Sequence, residues 1–132
     1  MISMTSSLET GVAKIDEQHK TLFDRINDVF YMGGKGLSKE EADKTLKFLG
    51  DYIRKHFADE EKMQIEYKYP KHEQHKKMHE SYIAAFNALK LEYEKNGHSS
   101  AFSAQLNKSI IDWILKHIST EDKDLGRFIN GK

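Results

Sequence analysis

Four stretches of this chain carry apolar residues at helical spacing, and each sets at least one histidine among them. This feature limits the fold more than any other. An imidazole is costly to bury without a partner, and a helix already bonds its backbone groups to itself, so it offers few partners of its own. In the first stretch Ile15, Leu22, Phe23, Ile26, Val29 and Phe30 form one face, with His19 on it, and the pattern stops at the glycine-rich residues 33–36. In the second, Leu46, Leu49, Ile53, His56, Phe57 and Glu60 share a face. The third carries His75 and His79 at helical spacing. The fourth has Phe102, Leu106, Ile110, Trp113, Ile114, His117 and Ile118. Apolar residues three, four and seven apart define an amphipathic helix.

The punctuation between the stretches agrees with helices. Ser38 is placed to cap the second, with Glu41 three residues on to complete a capping box. Pro70, the single proline, is suited to the first turn of a third helix running to about Lys95. "NGHSS", residues 96–100, reads as a turn followed by a cap. No stretch alternates in the manner of a strand. The expectation is an all-α fold: an antiparallel up-down four-helix bundle with an N-terminal arm and a short C-terminal segment, residues 1–132 forming one domain.

Composition removes several function classes. Lysine plus arginine and aspartate plus glutamate number 21 each, a net charge of zero. Nucleic-acid binding needs a positive surplus to displace phosphate counterions, so no nucleic acid is expected, and an anionic membrane is no better a partner. No apolar run approaches the roughly 18 residues that span a bilayer. The beginning "MISMTSSLETG" lacks the basic and apolar regions of an export signal, which points to the cytoplasm. Cysteine is absent, excluding disulfides, thiolate sites and cysteine nucleophiles. Any metal must be held by nitrogen and oxygen donors. With no long apolar stripe left over, a monomer is expected.

The chemistry lies in the spacing. Residues four apart on a helix stand one above the other, so His56 with Glu60 and His75 with His79 can each grip one ion. Each pair alone is a weak signal, since a lone core-facing histidine is more often hydrogen-bonded to a carbonyl than bound to metal. His72 and His98 fit no core position and read as solvated. Convergence makes the difference: five imidazoles and a glutamate on four core faces cannot each find a private backbone partner, whereas a metal centre satisfies them together. Five imidazoles exceed the four ligands of one zinc ion, so two metals fit better. A carboxylate follows His117 at both Glu121 and Asp122; helical spacing by itself favours Glu121.

The blocks "GVAKIDEQHKTLF", "HFADEEKMQIEYKYPKHEQHKKMH" and "WILKHISTEDKDLG" resemble the three signature blocks of the hemerythrins, in particular the single-domain bacterial ones. The resemblance runs from about Thr10 to Gly126 and includes seven ligand positions. It implies two iron ions with a bridging oxo or hydroxo group. His75, His79 and His117 would hold one iron and His19 and His56 the other, with Glu60 and Asp122 as bridges. The family's last carboxylate follows its histidine by five residues, which selects Asp122. That ligand set leaves an open position on the His19/His56 iron for dioxygen, and Phe57, Trp113, Ile114 and Ile118, which flank ligands on their helices, are expected to wall a dry pocket there, a role compatible with plain core packing. Two departures stand out: Met4 occupies a position where the family usually has tryptophan, and Ile114 one where leucine is common.

The implied function is reversible dioxygen binding for oxygen storage, delivery or sensing, with no catalytic residue. The competing class is a di-iron redox enzyme: a peroxidase, a ferroxidase or a nitric oxide-handling catalyst. Ferritin-like oxidases use glutamate-rich sites with ExxH pairs, and anionic oxygen donors favour higher oxidation states. Five neutral imidazoles favour the ferrous state and reversible binding. An unidentified acceptor protein would leave no trace in such a sequence.

Overall fold

The computed structural model describes residues 2–32 and 37–131. Among these residues the regular structure is helical throughout. A short turn at Ser6–Leu8 leads into α1 (Ala13–Phe30), followed by α2 (Lys39–Glu66) and α3 (His72–Asn96). A last helical run covers 100–129: α4 (Ser100–Gln105), a π-helical stretch (Leu106–Asp112), α5 (Trp113–His117), a second π-helical stretch (Ile118–Asp122) and α6 (Lys123–Ile129). Each rod packs on the next, α1 on α2, α2 on α3, and α3 on the first half of the last run. The result is the up-down four-helix bundle, built of long rods joined by short turns.

The helix starts follow local chemistry. Ser38 Oγ accepts from the Glu41 N–H at 3.1 Å while the Glu41 carboxylate accepts from the Ser38 N–H at 3.1 Å, the capping box expected there. Such a cap stabilises a helix by about 1 kcal/mol. Helix α1 has no side-chain cap of its own. Instead the Asp16 carboxylate accepts from Thr10 N and Thr10 Oγ1, both at 2.8 Å, and from Gly11 N at 3.2 Å, folding the arm onto the helix. The third helix begins later than expected: Pro70 lies in the turn before His72, with Tyr69 N donating to Gln64 O at 2.8 Å. The glycine-rich residues 33–36 lie outside the described residues.

The apolar core divides into two parts with the polar cluster between them. The large part takes Leu22, Phe23, Ile26, Leu49, Ile53, Phe57, Tyr82, Phe86, Ile110 and Ile114 among others, all buried. The small part is Ile15, Tyr69 and Leu125. Along α1 the order Ile15, His19, Leu22 shows the arrangement directly, because His19 lies one turn from each neighbour. Two glycines permit close approach. At Gly50 a Cβ would come 2.6 Å from the Phe86 ring, and at Gly126 it would run into the backbone of Thr10. The arm thus lies along the last helical run, and its Ser6–Leu8 turn packs on Ile118–Asp122.

Candidate metal centre

Each rod delivers its polar groups to one level of the bundle. His19 comes from α1, His56 and Glu60 from α2, His75 and His79 from α3, and His117 and Asp122 from the last run. All seven are buried. They form two overlapping groups, in each of which the donor atoms lie within 4.8 Å of one another: Glu60, His75, His79, His117 and Asp122, and His19, His56, Glu60 and Asp122.

The two shared carboxylates divide their oxygens between the groups. Glu60 Oε1 lies 2.9 Å from His75 Nε2 and 3.2 Å from His79 Nε2, whereas Oε2 lies 3.4 Å from His56 Nε2. Asp122 Oδ1 lies 2.9 Å from His75 Nε2 and 3.3 Å from His117 Nε2, whereas Oδ2 lies 3.1 Å from His19 Nε2. These approaches are short, yet they lack hydrogen-bond angles. Both oxygens of each carboxylate, and the Nε2 atoms of His19, His56 and His79, have no hydrogen-bond partner. Buried polar atoms are normally paired, and atoms that crowd a common space without bonding each other are donors for an ion. The cluster therefore fits metal.

The reach of Asp122 depends on a local departure from the α-helix. A step of five residues from His117 would carry an α-helical side chain round to the opposite flank, while the step of four to Glu121 would keep it on the same face. Ile118–Asp122 is π-helical, with i→i+5 bonding that takes about one more residue per turn. Asp122 is thereby returned to the face of His117. Glu121 is displaced outward, its Oε2 lying 3.7 Å from the outer nitrogen of His117.

The family model for the hemerythrin HHE cation binding domain matches residues 10–129. The chain belongs to the hemerythrin family. It is 28% identical to a bacteriohemerythrin of Methylococcus capsulatus over 117 residues, 89% of this chain and 87% of the relative. It is 27% identical to a bacteriohemerythrin of Campylobacter jejuni over 132 residues, 100% of this chain and 93% of the relative. A bacteriohemerythrin of Clostridium acetobutylicum is 25% identical over 130 residues, 94% of this chain and 98% of the relative.

Two of the outer nitrogens are held by acceptors, and two of the inner ones, His75 Nε2 and His117 Nε2, lie 3.0 Å apart as a bonded pair. His56 Nδ1 pairs with Gln18 Oε1 at 2.8 Å and His79 Nδ1 with Glu61 Oε2 at 2.8 Å. Both partners accept, so each Nδ1 carries the proton and each Nε2 turns a lone pair inward, the form a metal requires. Electrostatics follow the same layout. Burial pushes His56 down to about 4. Burial opposes charge on His75 as well, but the Asp122 and Glu60 carboxylates outweigh it and push that imidazole up to about 10. Burial would also raise Asp122, yet His117, His19 and His75 hold it well below the usual carboxylate range.

The surroundings are asymmetric. Phe57 stacks on His79 with ring centroids 3.8 Å apart, and Phe23 stacks on His19 at 6.5 Å. Ile114 and Ile118 are fully buried. Trp113 is placed differently from these: it is half-buried and stacks at 4.6 Å on His117, lining a surface cavity of about 230 Å³ with Met78, Lys116 and Glu121. A second surface cavity of about 240 Å³ reaches His75 from the side of Tyr69, Lys71 and Thr120. The group with three histidines therefore lies just beneath the surface, and the group with two is the deeper. Met4 of the arm is partly buried against the main core.

Several participants escape sequence reasoning. Gln18 and Glu61 look like ordinary polar neighbours of His19 and Glu60, and Phe23 like plain core. The partnership of Gln18 with His56 joins residues 38 apart, with no local signal. His72 is corrected: it is half-buried, not solvated, with Nδ1 2.9 Å from Gln64 Oε1. His98 is exposed, as expected, with its ring 5.5 Å from that of Phe102.

Proposed function

We propose that this protein binds dioxygen reversibly at a pair of iron ions with a bridging oxo or hydroxo group, for oxygen storage, delivery or sensing. His75, His79 and His117 would hold one iron, His19 and His56 the other, and Glu60 and Asp122 both. When bound, the iron pair supplies the electrons that hold dioxygen and an open coordination position for it. The observation that carries the reading is the inequality of the two donor groups. One offers five residues and the other four, and the poorer one is the deeper, with His19 and His56 both at 0% exposure.

The remaining work falls to the chain's own side chains. Phe23, Phe57, Ile114 and Ile118 flank the histidines and carry no O–H or N–H in their side chains, so they exclude water without offering a proton. A ligand held there can leave unaltered. Gln18 and Glu61 accept from Nδ1 of His56 and His79 and so fix the tautomer and ring orientation that present Nε2 to the site. Five imidazoles against two carboxylates favour the reduced metal and binding over oxidation. The three relatives named above, all bacteriohemerythrins, point the same way.

Optical spectra of anaerobically iron-loaded protein, taken before oxygen, after oxygen and after sparging, test the proposal. Visible bands that appear with oxygen and vanish on sparging are expected. Bands that settle irreversibly into a ferric spectrum would point to a di-iron redox enzyme or to a leaky pocket around Ile114 instead. No bands from protein carrying two irons would remove the oxygen chemistry altogether.

A further inference from the structure

His56 and His79 belong to different donor groups and give their outer nitrogens to different chemistry. His79 Nδ1 donates straight to the Glu61 carboxylate at 2.8 Å, and among the described residues no lysine or arginine pairs with that carboxylate. His56 Nδ1 donates to the neutral amide oxygen of Gln18 at 2.8 Å. The anion on that side stands one bond further out. Asp59 Oδ2 accepts from Gln18 Nε2 at 2.8 Å and from the Lys55 ammonium at 3.0 Å, which compensates its charge.

A hydrogen bond to a charged acceptor is roughly twice as strong as one to a neutral acceptor. A carboxylate on the outer N–H of a ligating imidazole also raises the donor strength of its inner nitrogen. The uncompensated carboxylate therefore favours the three-histidine group, and the amide leaves the two-histidine group the weaker donor. Outside these two bonds the contrast is weaker. His117 Nδ1 has Glu121 Oε2 at 3.7 Å, whereas His19 Nδ1 is buried with no partner at all.

We propose that Glu61 and Gln18 are positioning residues that fix the order of metal loading, Glu61 tightening the three-histidine position and Gln18 keeping the two-histidine position loose. The inference rests on the two-metal reading above. It assigns the difference between the positions to the placement of one negative charge as well as to the number of ligands.

Cobalt(II) titrated into metal-free protein, read by its visible d–d bands and by competition with a chelator, tests it. Wild type should bind two ions per chain in two resolved steps. Glu61→Gln keeps a hydrogen-bond acceptor on His79 but removes the charge. It should weaken the tight step about 10–100-fold and leave the loose step unchanged. The double variant Gln18→Glu with Asp59→Asn conserves net charge and the bond between the two side chains while moving the anion onto His56. It should tighten the loose step by a similar factor and spare the tight one. Two ions bound with both steps unchanged in the variants would overturn the inference and leave the two-metal reading standing. Equal weakening of both steps would also overturn it, since that is what a merely structural role produces. Failure of wild type to bind two ions would overturn the two-metal reading itself.

Discussion

Replacing Gly126 by alanine tests whether the arm is locked to the last helical run. A Cβ there would lie 3.0 Å from the carbonyl carbon and the Cβ of Thr10 and closer still to its carbonyl oxygen. Non-bonded carbons prefer about 3.5–4.0 Å, so the arm or the helix must retreat by something on the order of an ångström. Overpacking of this kind costs about 1–3 kcal/mol. The retreat also strains the bonds from Thr10 and Gly11 to Asp16, each about 1.5–3 kcal/mol because the acceptor is charged. Alanine returns about 1 kcal/mol through its better helix propensity. A net loss of about 1–3 kcal/mol is expected, and at about 4 °C per kcal/mol for a chain of this size the melting temperature should fall by about 4–12 °C. Thermal unfolding of the metal-free variant, followed by circular dichroism, gives the answer. Cobalt stoichiometry then shows which side moved, since two ions per chain are retained if the arm yields and reduced if the helix carrying Asp122 yields. An unchanged or raised melting temperature would refute the close packing of Thr10 on Gly126.

Three further outcomes follow from the same geometry. Asp122→Asn should abolish two-metal binding while Glu121→Gln keeps it, as counted by metal analysis after gel filtration; the reverse result would mean that Ile118–Asp122 does not turn as described. Ile118→Ala opens space in a fully buried wall, costing about 2–5 kcal/mol and admitting water, so the iron-loaded variant should oxidise irreversibly much faster than wild type in air; equal rates would take Ile118 out of the wall. The metal-free protein should melt highest between the two imidazole transitions. His56, depressed in the fold to about 4, contributes stability above its ordinary value of 6.5, about 3 kcal/mol that is lost as pH falls toward 4. His75, raised to about 10, contributes stability below 6.5 that is lost as pH rises through 10. A melting temperature that does not fall as pH is lowered from 6.5 to 4.5 would contradict the assignment for His56.

What could be read from the chain in advance was whatever is local to one helix. The apolar stripes, the Ser38–Glu41 box and the inward course of His19, His56, His75, His79 and His117 all follow from spacing within a single rod, and the structure places them accordingly. Pro70 shows the limit of such reading, since it favours a helix start over a range of positions and the turn through Tyr69 decided among them. The choice between Glu121 and Asp122 was open because the α-helical period was the wrong ruler for a π-helical stretch. Family resemblance pointed to Asp122, and the π-turn gives a physical reason for its inward course. Gln18 on His56 and Gln64 on His72 are relations between elements, set by how rods rotate against one another, and no local pattern encodes them.

The two ends of the chain meet beside Asp122, and that meeting has a kinetic consequence. Asn130 bonds the carbonyl of Gly11, a pair 119 residues apart, next to the seat of Thr10 on Gly126. Helical hairpins form from near neighbours, whereas a contact of this separation waits for the intervening chain to be in place. The arm is thus the last piece to dock as the chain folds and the first to fray as it is heated. Amide hydrogens of residues 2–11 should exchange well before those of the rods, so opening of the bundle begins at the stretch that carries the shared aspartate.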